Sequence, residues 1–207
     1  MAPSDLSIRN LTGDWAIDKS KSKNIDGALK LQGIGWLRRK AVTSGTITLK
    51  TTYDTNSNSL MMQQGLRGIF PGVEQTRLLD WSEHEHVDAV SGAAIKVRSR
   101  FVRGVVEGEK VKPVLQVETN TAKKAEVETY LTAAVSIPVP AGQVGDGDEE
   151  KSFVQDFIVC EGGGWTAEQI WAVEKIGDGL FLTCRAVAAK GDTIEQAYQV
   201  YQYEEQK

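Results

Sequence analysis

The sequence predicts an all-β protein, an antiparallel β-barrel of about ten strands with a short helix-turn-helix lid after the first strand. Two observations lead to this fold. Apolar residues recur at three- and four-residue steps between residues 25 and 42, which indicates two short amphipathic helices. Nearly all of the chain after Val42 alternates between apolar and polar residues with a period of two, which indicates strands. A single helical pair followed by many strands is typical of a barrel with a covered mouth.

The elements can be placed in order. Trp15 and Ile17 have strand spacing before the lid, and we expect Trp15 to plug one end of the barrel. The lid breaks at Gly33 and Gly35, because glycine costs about 1 kcal/mol in a helix interior. Later strands are predicted at 47–53, 60–66, 73–81, 95–102, 111–118, 126–135, 153–160, 167–176, 180–188 and 194–203. The segment Gly142 to Glu150, rich in Gly, Asp and Glu, is predicted to be a flexible surface insertion.

Composition limits the classes of function. With 207 residues, 41% of them hydrophobic, the chain is expected to form one domain over residues 1–207. A net charge of -4 disfavours a nucleic acid partner, and the basic run Arg38, Arg39, Lys40 is expected to be a solvated helix face. The N-terminus has no hydrophobic signal core, and no apolar run reaches the roughly 20 residues that would span a bilayer. We therefore expect a cytoplasmic protein without membrane insertion.

Metal and hydrolytic sites are weakly supported. Cys160 and Cys184 are too few for a disulfide framework or a zinc site, and are expected to be free thiols. His84 and His86 lie in a charged stretch that we interpret as an exposed connector, and no third ligand follows at zinc spacing. No metal and no cofactor are predicted. The carboxylates at positions 126 and 128 share one face of a predicted strand and are interpreted as solvated surface.

What remains is an apolar interior with a few polar groups, as small-molecule sites are generally built. Arg77 and Gln169 are the most informative, because a buried guanidinium or amide costs several kcal/mol unless it is paired. An acidic neighbour would give Arg77 a structural role, whereas a ligand carbonyl would give it a functional one. The aromatic residues could equally be plain core. Side chains alternate between the two faces of a strand, and this alternation (strand parity) predicts an interior lined by Tyr53, Arg77, Trp81, Phe101, Phe157, Gln169, Trp171 and Tyr201.

Several motifs carry a resemblance to known families. Gly13-Asp14-Trp15 resembles the Gly-x-Trp opening of the calycins, and the lid stretch 31–42 resembles the helix-turn-helix of intracellular fatty-acid-binding proteins. With the motifs at 76–81, 99–101 and 165–171, the whole chain is similar to a group of small fungal lipocalin-like proteins. It differs from fatty-acid-binding proteins in its greater length and in a last strand that lacks their Arg-x-Tyr carboxylate clamp.

The resemblance implies a function, since relatives in this group include intermolecular hetero-Diels–Alderases that join a tropolone-derived quinone methide to a macrocyclic terpene such as humulenol. Such a cofactor-independent pericyclase would orient two apolar partners, with Arg77, Gln169 or Tyr53 as the catalytic hydrogen-bond donor. The implied substrate-binding residues are Trp81, Phe101, Phe157, Trp171 and Tyr201.

Two alternatives use the same residues. One is a non-catalytic carrier of a hydrophobic small molecule, and the other is an interaction module whose barrel is filled by its own side chains. In either enzyme or carrier, the partners are hydrophobic small molecules. A twofold-symmetric homodimer is the default expectation for assembly on base rates alone.

Overall fold

The structure is a computed structural model that describes residue 3 and residues 6–138 and 152–204. The predicted insertion at Gly142 to Glu150 lies outside these residues. In chain order the elements are β1 (Gly13–Ile17), α1 (Ile25–Leu31), α2 (Trp36–Ser44), β2 (Ile47–Asp54), β3 (Ser59–Leu66), β4 (Phe70–Leu78), β5 (Asp80–Val87), β6 (Ala94–Val102), β7 (Gly104–Glu107), β8 (Lys110–Pro113), α3 (Lys124–Leu131), β9 (Phe153–Cys160), β10 (Trp165–Ile176), β11 (Gly179–Lys190) and β12 (Thr193–Glu204).

Ten of these strands form one antiparallel sheet in the order β4-β3-β2-β1-β12-β11-β10-β9-β6-β5. The sheet curls so that its two edge strands, β4 and β5, come together without a ladder between them. The side-chain amide of Gln75 on β4 bridges this gap by donating to the carbonyl oxygen of Val87 on β5, at 2.9 Å. The predicted barrel of about ten strands is therefore confirmed as a nearly closed antiparallel barrel.

Strand register assigns the two faces of the wall. On β6, Ile95 and Val97 are buried in the interior, and the basic residues alternate with them on the outside, as predicted. Trp15 is completely buried inside the barrel, where its indole nitrogen donates to Thr51 Oγ1 at 2.9 Å. Its ring and the ring of Tyr203 form a T-shaped contact, with centroids 5.2 Å apart. Trp15 belongs to an apolar cluster of the barrel interior that also contains Trp171, Ala186 and Tyr201.

The lid consists of two short helices, as predicted. They are separated by residues 32–35, and Gly33 there has φ +81, a left-handed conformation that favours glycine. On α2, Arg38 and Lys40 are exposed, as predicted for a solvated face, whereas Arg39 is half-buried. Arg38 donates to the carbonyl oxygen of Ser91 at 3.1 Å, and Arg39 forms an ion pair of 2.9 Å with Asp26 on α1. Two of the three basic residues therefore fasten the lid.

An insertion between β6 and β9 contains the β7-β8 hairpin and α3, and it corrects two predicted strands. Residues 126–135 were predicted to form a strand, yet α3 occupies most of this stretch, and the strand predicted at 111–118 ends at Pro113. Val127 and Leu131 are four residues apart, so they share one face of α3 and are completely buried. Glu126 and Glu128 are exposed on that helix. Short apolar runs do not distinguish helix from strand by periodicity alone.

A buried carboxylate ties the insertion to the outer face of the barrel. Glu168 on β10 is completely buried, and its oxygens accept hydrogen bonds from the backbone N–H groups of Glu118 and Thr119 at 3.1 and 3.0 Å. The Thr119 hydroxyl and the Gln155 side-chain amide also donate to it, at 2.7 and 2.6 Å. These donors satisfy an acidic group that would otherwise be costly to bury.

Candidate functional site

The interior polar cluster is centred on Asp156 of β9, which is completely buried. Arg77 reaches it from β4 and forms an ion pair with its carboxylate. Ser99 donates its hydroxyl to Oδ1 at 2.6 Å, and the indole nitrogen of Trp171 donates to Oδ2 at 2.8 Å. Arg77 was predicted to be a free hydrogen-bond donor or to have an acidic partner, and the structure places the acidic partner beside it. Its charge is therefore paired with Asp156, a second N–H donates to Gln75 Oε1 at 3.3 Å, and its buried Nε has no hydrogen-bond partner.

His84 and His86 lie within β5 and differ from the predicted exposed connector. Their strand partners are Val97 and Ile95, both of which point into the barrel, so the two imidazoles point inward as well. Both are only half-buried, and Nε2 of His86 is a buried atom without a hydrogen-bond partner. Burial lowers the pKa of His86 from its ordinary value, and the positive charge of Arg77 lowers it further.

Gln169 points into the barrel from β10, between Asp156 on β9 and Ala186 on β11. It is half-buried, and no hydrogen bond from its side chain to another described residue is formed. The next inward residue on the strand is Trp171, whose ring lies 6.2 Å from that of Tyr201 on β12. Gln169 is therefore an amide available on the interior wall, beside an aromatic surface.

The Tyr201 hydroxyl is paired inside the protein. It donates to Oε1 of Gln199 on the same strand, at 2.6 Å. Tyr201 is completely buried, and burial raises the pKa of its phenol, so the hydroxyl stays protonated and remains a donor. Gln199 is half-buried and also points inward, opposite Cys184 of β11.

Tyr53 and Phe101 form an aromatic pair across the interior, with centroids 5.8 Å apart and planes at 82°. Both are half-buried. The Tyr53 hydroxyl contacts Asn58 Oδ1 at 3.3 Å, so this predicted donor already has a partner. Burial raises the pKa of the Tyr53 phenol, which keeps it protonated.

Trp81 and Phe157 were predicted to line the interior, and the structure places both of them elsewhere. Trp81 has φ +66, next to an irregular register between Asp80 and Glu83, and its ring stacks on the outward Arg100 at 4.0 Å. Phe157 pairs with Glu168, whose side chain faces the insertion, so Phe157 is on the outer face. Strand parity failed for Trp81 because a bulge reverses the faces. For Phe157 the alternation was misjudged within a strand that is apolar on both sides.

Sequence reasoning also missed Asp156, Ser99 and Gln199. A usable signal was present for Asp156, since a carboxylate in the apolar strand Phe-Val-Gln-Asp-Phe-Ile-Val-Cys requires a partner when buried. A second signal was the alternation of Glu83-His84-Glu85-His86, which is itself a strand pattern. The two cysteines are buried free thiols, and within the described residues no group of three metal-ligating side chains comes together.

Several solved structures have a similar fold. A fatty-acid-binding protein of Schistosoma mansoni in complex with arachidonic acid matches with a TM-score of 0.53 and 15% identity, over 97% of this chain and 100% of that one. The fatty-acid-binding protein of Manduca sexta matches with a TM-score of 0.50 and 15% identity, over 93% and 98% of the two chains. The fluorescent protein UnaG matches with a TM-score of 0.50 and 14% identity, over 95% and 99%. The chain therefore has the barrel fold of the fatty-acid-binding proteins.

The sequence itself matches no protein-family model. It matches no curated protein either. Among the described residues, no helix has both the length and the apolar character needed to cross a membrane.

Proposed function

We propose that the protein binds a hydrophobic small molecule inside the barrel and serves as a carrier or store for it. The observation that supports this proposal is that inward-pointing side chains in the middle of the barrel remain half-buried, among them Gln64, Phe101, Gln169 and Gln199. Protein interiors are normally close-packed, so this exposure indicates interior space that the chain does not fill itself. Apolar walls with a few polar groups suit such a ligand. An interaction module with a filled barrel would leave these side chains buried.

The direct test is binding of the uncharged dye Nile red, with a matched pair of variants. Gln169→Trp places a large ring in the interior, whereas Gln202→Trp places the same ring on the exposed outer side of β12. We expect saturable dye binding and an increased melting temperature in the wild type, since a ligand stabilises the state that it binds. Gln169→Trp should lose this binding and Gln202→Trp should keep it. Equal binding by both variants would contradict an interior site.

A hetero-Diels–Alder addition in the same space is the second candidate. Gln169 and Trp171 are successive inward positions of β10, and they place an available amide donor beside an aromatic wall, as this addition would require. The discriminating experiment incubates the protein with a tropolone quinone-methide precursor and humulenol, followed by chiral chromatography. One enantiomeric adduct formed faster than in the protein-free control, and lost in Gln169→Leu, would support the enzyme. The background mixture of adducts, with an increased melting temperature, would support the carrier.

A further inference from the structure

We propose that the polar group of the ligand is an uncharged oxygen, such as an ester, ketone or hydroxyl, and that it binds between the side-chain amides of Gln169 and Gln199. This inference rests on the proposed binding of a small molecule in the barrel, and it identifies the class of that molecule. It excludes a free carboxylate as the preferred group.

Two alanines separate the two amides on the inner wall. Gln169 and Ala186 are directly opposite on β10 and β11, and Ala186 is in turn opposite Ala197 on β12. Gln199 is the next inward residue after Ala197. Neighbouring strands are about 4.8 Å apart, so the two long side chains stand on either side of two alanines. Both alanines are buried, whereas the two amide side chains remain half-buried, so the amides are the accessible groups on this part of the wall.

The hydrogen bonds that the two amides already form determine which of their donor and acceptor groups are available to a ligand. Oε1 of Gln199 already accepts from the Tyr201 hydroxyl at 2.6 Å, which leaves its N–H groups to donate to a ligand. The side chain of Gln169 forms no hydrogen bond with the described residues, so it can either donate or accept. An ester, ketone or hydroxyl oxygen accepts from both amides.

The charges of the interior disfavour an anion. Among the described residues of the inner wall near these amides, Arg77 and Asp156 form an ion pair, and Glu195, on the same face of β12 as Gln199, accepts from the Asn24 amide at 2.8 Å. Trp171 and Ser99 further satisfy the Asp156 carboxylate. A ligand carboxylate would therefore enter without an unpaired cation to compensate its desolvation. An uncharged group has a much smaller desolvation penalty.

The test compares palmitic acid with its methyl ester and the corresponding alcohol, each competing with Nile red at neutral pH. We expect the ester and the alcohol to bind at least about tenfold more tightly than the acid. Gln169→Leu and Gln199→Leu should each weaken the ester and the alcohol more than the acid, and Gln202→Leu on the outer face should change the binding of none of the three. Circular dichroism and thermal melts verify that the variants fold.

The outcomes separate the two proposals. Tighter binding of the acid, or unchanged ester binding in both leucine variants, would overturn this inference while leaving the carrier function intact. Failure of the wild type to bind Nile red and all three lipids would overturn the proposed function itself.

Discussion

The indole nitrogen of Trp171 donates to Oδ2 of Asp156 at 2.8 Å, and the same oxygen accepts from the guanidinium of Arg77. The carboxylate of Asp156 on β9 therefore links β9 to β4 and β10 inside the barrel. Because the charge of Arg77 is used within the protein, a structural role accounts for it without a ligand. What Arg77 retains is a buried Nε without a hydrogen-bond partner, while its charge is balanced by Asp156.

Asp156→Asn is expected to destabilise the protein by about 3–5 kcal/mol, because it leaves the Arg77 cation buried without its counterion. Chemical denaturation with urea measures this change. Replacing both residues, as Arg77→Met with Asp156→Leu, should restore much of the loss, since neither charge remains buried.

The matched control for this prediction is Arg67→Met, which removes an ion pair with Glu204 at an exposed site. Its cost should be no more than about 1 kcal/mol. Similar losses in Arg67→Met and Asp156→Asn would contradict a special role for the buried pair.

Glu168→Gln should loosen the insertion from the barrel. The new NH2 group would face the backbone N–H groups that now donate to the carboxylate, at a cost of about 1–3 kcal/mol. Hydrogen exchange should become faster at the amides of Glu118 and Thr119. Glu128→Gln, on the exposed face of α3, is the control and should leave this exchange unchanged. Exchange that is equally slow in Glu168→Gln would show that other contacts hold the segment.

His86 should make the stability of the fold depend on pH. Its folded pKa is lowered from 6.5 by burial, then by Arg77 and His84, with Asp156 opposing. The unfolded state therefore binds more protons as the pH falls below about 6.5, and the stability present above that pH is progressively lost. We expect the free energy of unfolding to fall between pH 7.5 and pH 5.5, and His86→Asn to have a smaller slope. An unchanged slope in the variant would exclude His86 as its source.

Gly13→Ala tests the packing at the start of β1. A Cβ atom at this position would lie 2.5 Å from Cε2 of Tyr203, whose ring packs against Trp15. We expect a loss of about 1–3 kcal/mol from the displaced ring, measured by urea denaturation. At Gly35 an added Cβ meets open space, so Gly35→Ala is the control and should have a much smaller effect. A neutral Gly13→Ala would mean that the ring moves without penalty.

The sequence alone was sufficient to predict the barrel, the lid and the inward face of β6, because each depends on a periodic pattern of apolar and polar residues that are close in the chain. Ile95 and Val97 point inward because a strand alternates its side chains, and Gly33 separates two helices because its own conformation requires it. The absence of an Arg-x-Tyr pair was also visible, and Gln199 and Tyr201 occupy the last strand instead.

Only the tertiary structure decided which polar residues remain available to a ligand. Arg77 and Asp156 are 79 positions apart, and no local pattern relates them. A bulge turned Trp81 to the outside, and burial against the barrel made residues 124–131 a helix in spite of their alternation. Whether a polar side chain is free depends on the partner that the fold brings to it, and that partner comes from a distant part of the chain.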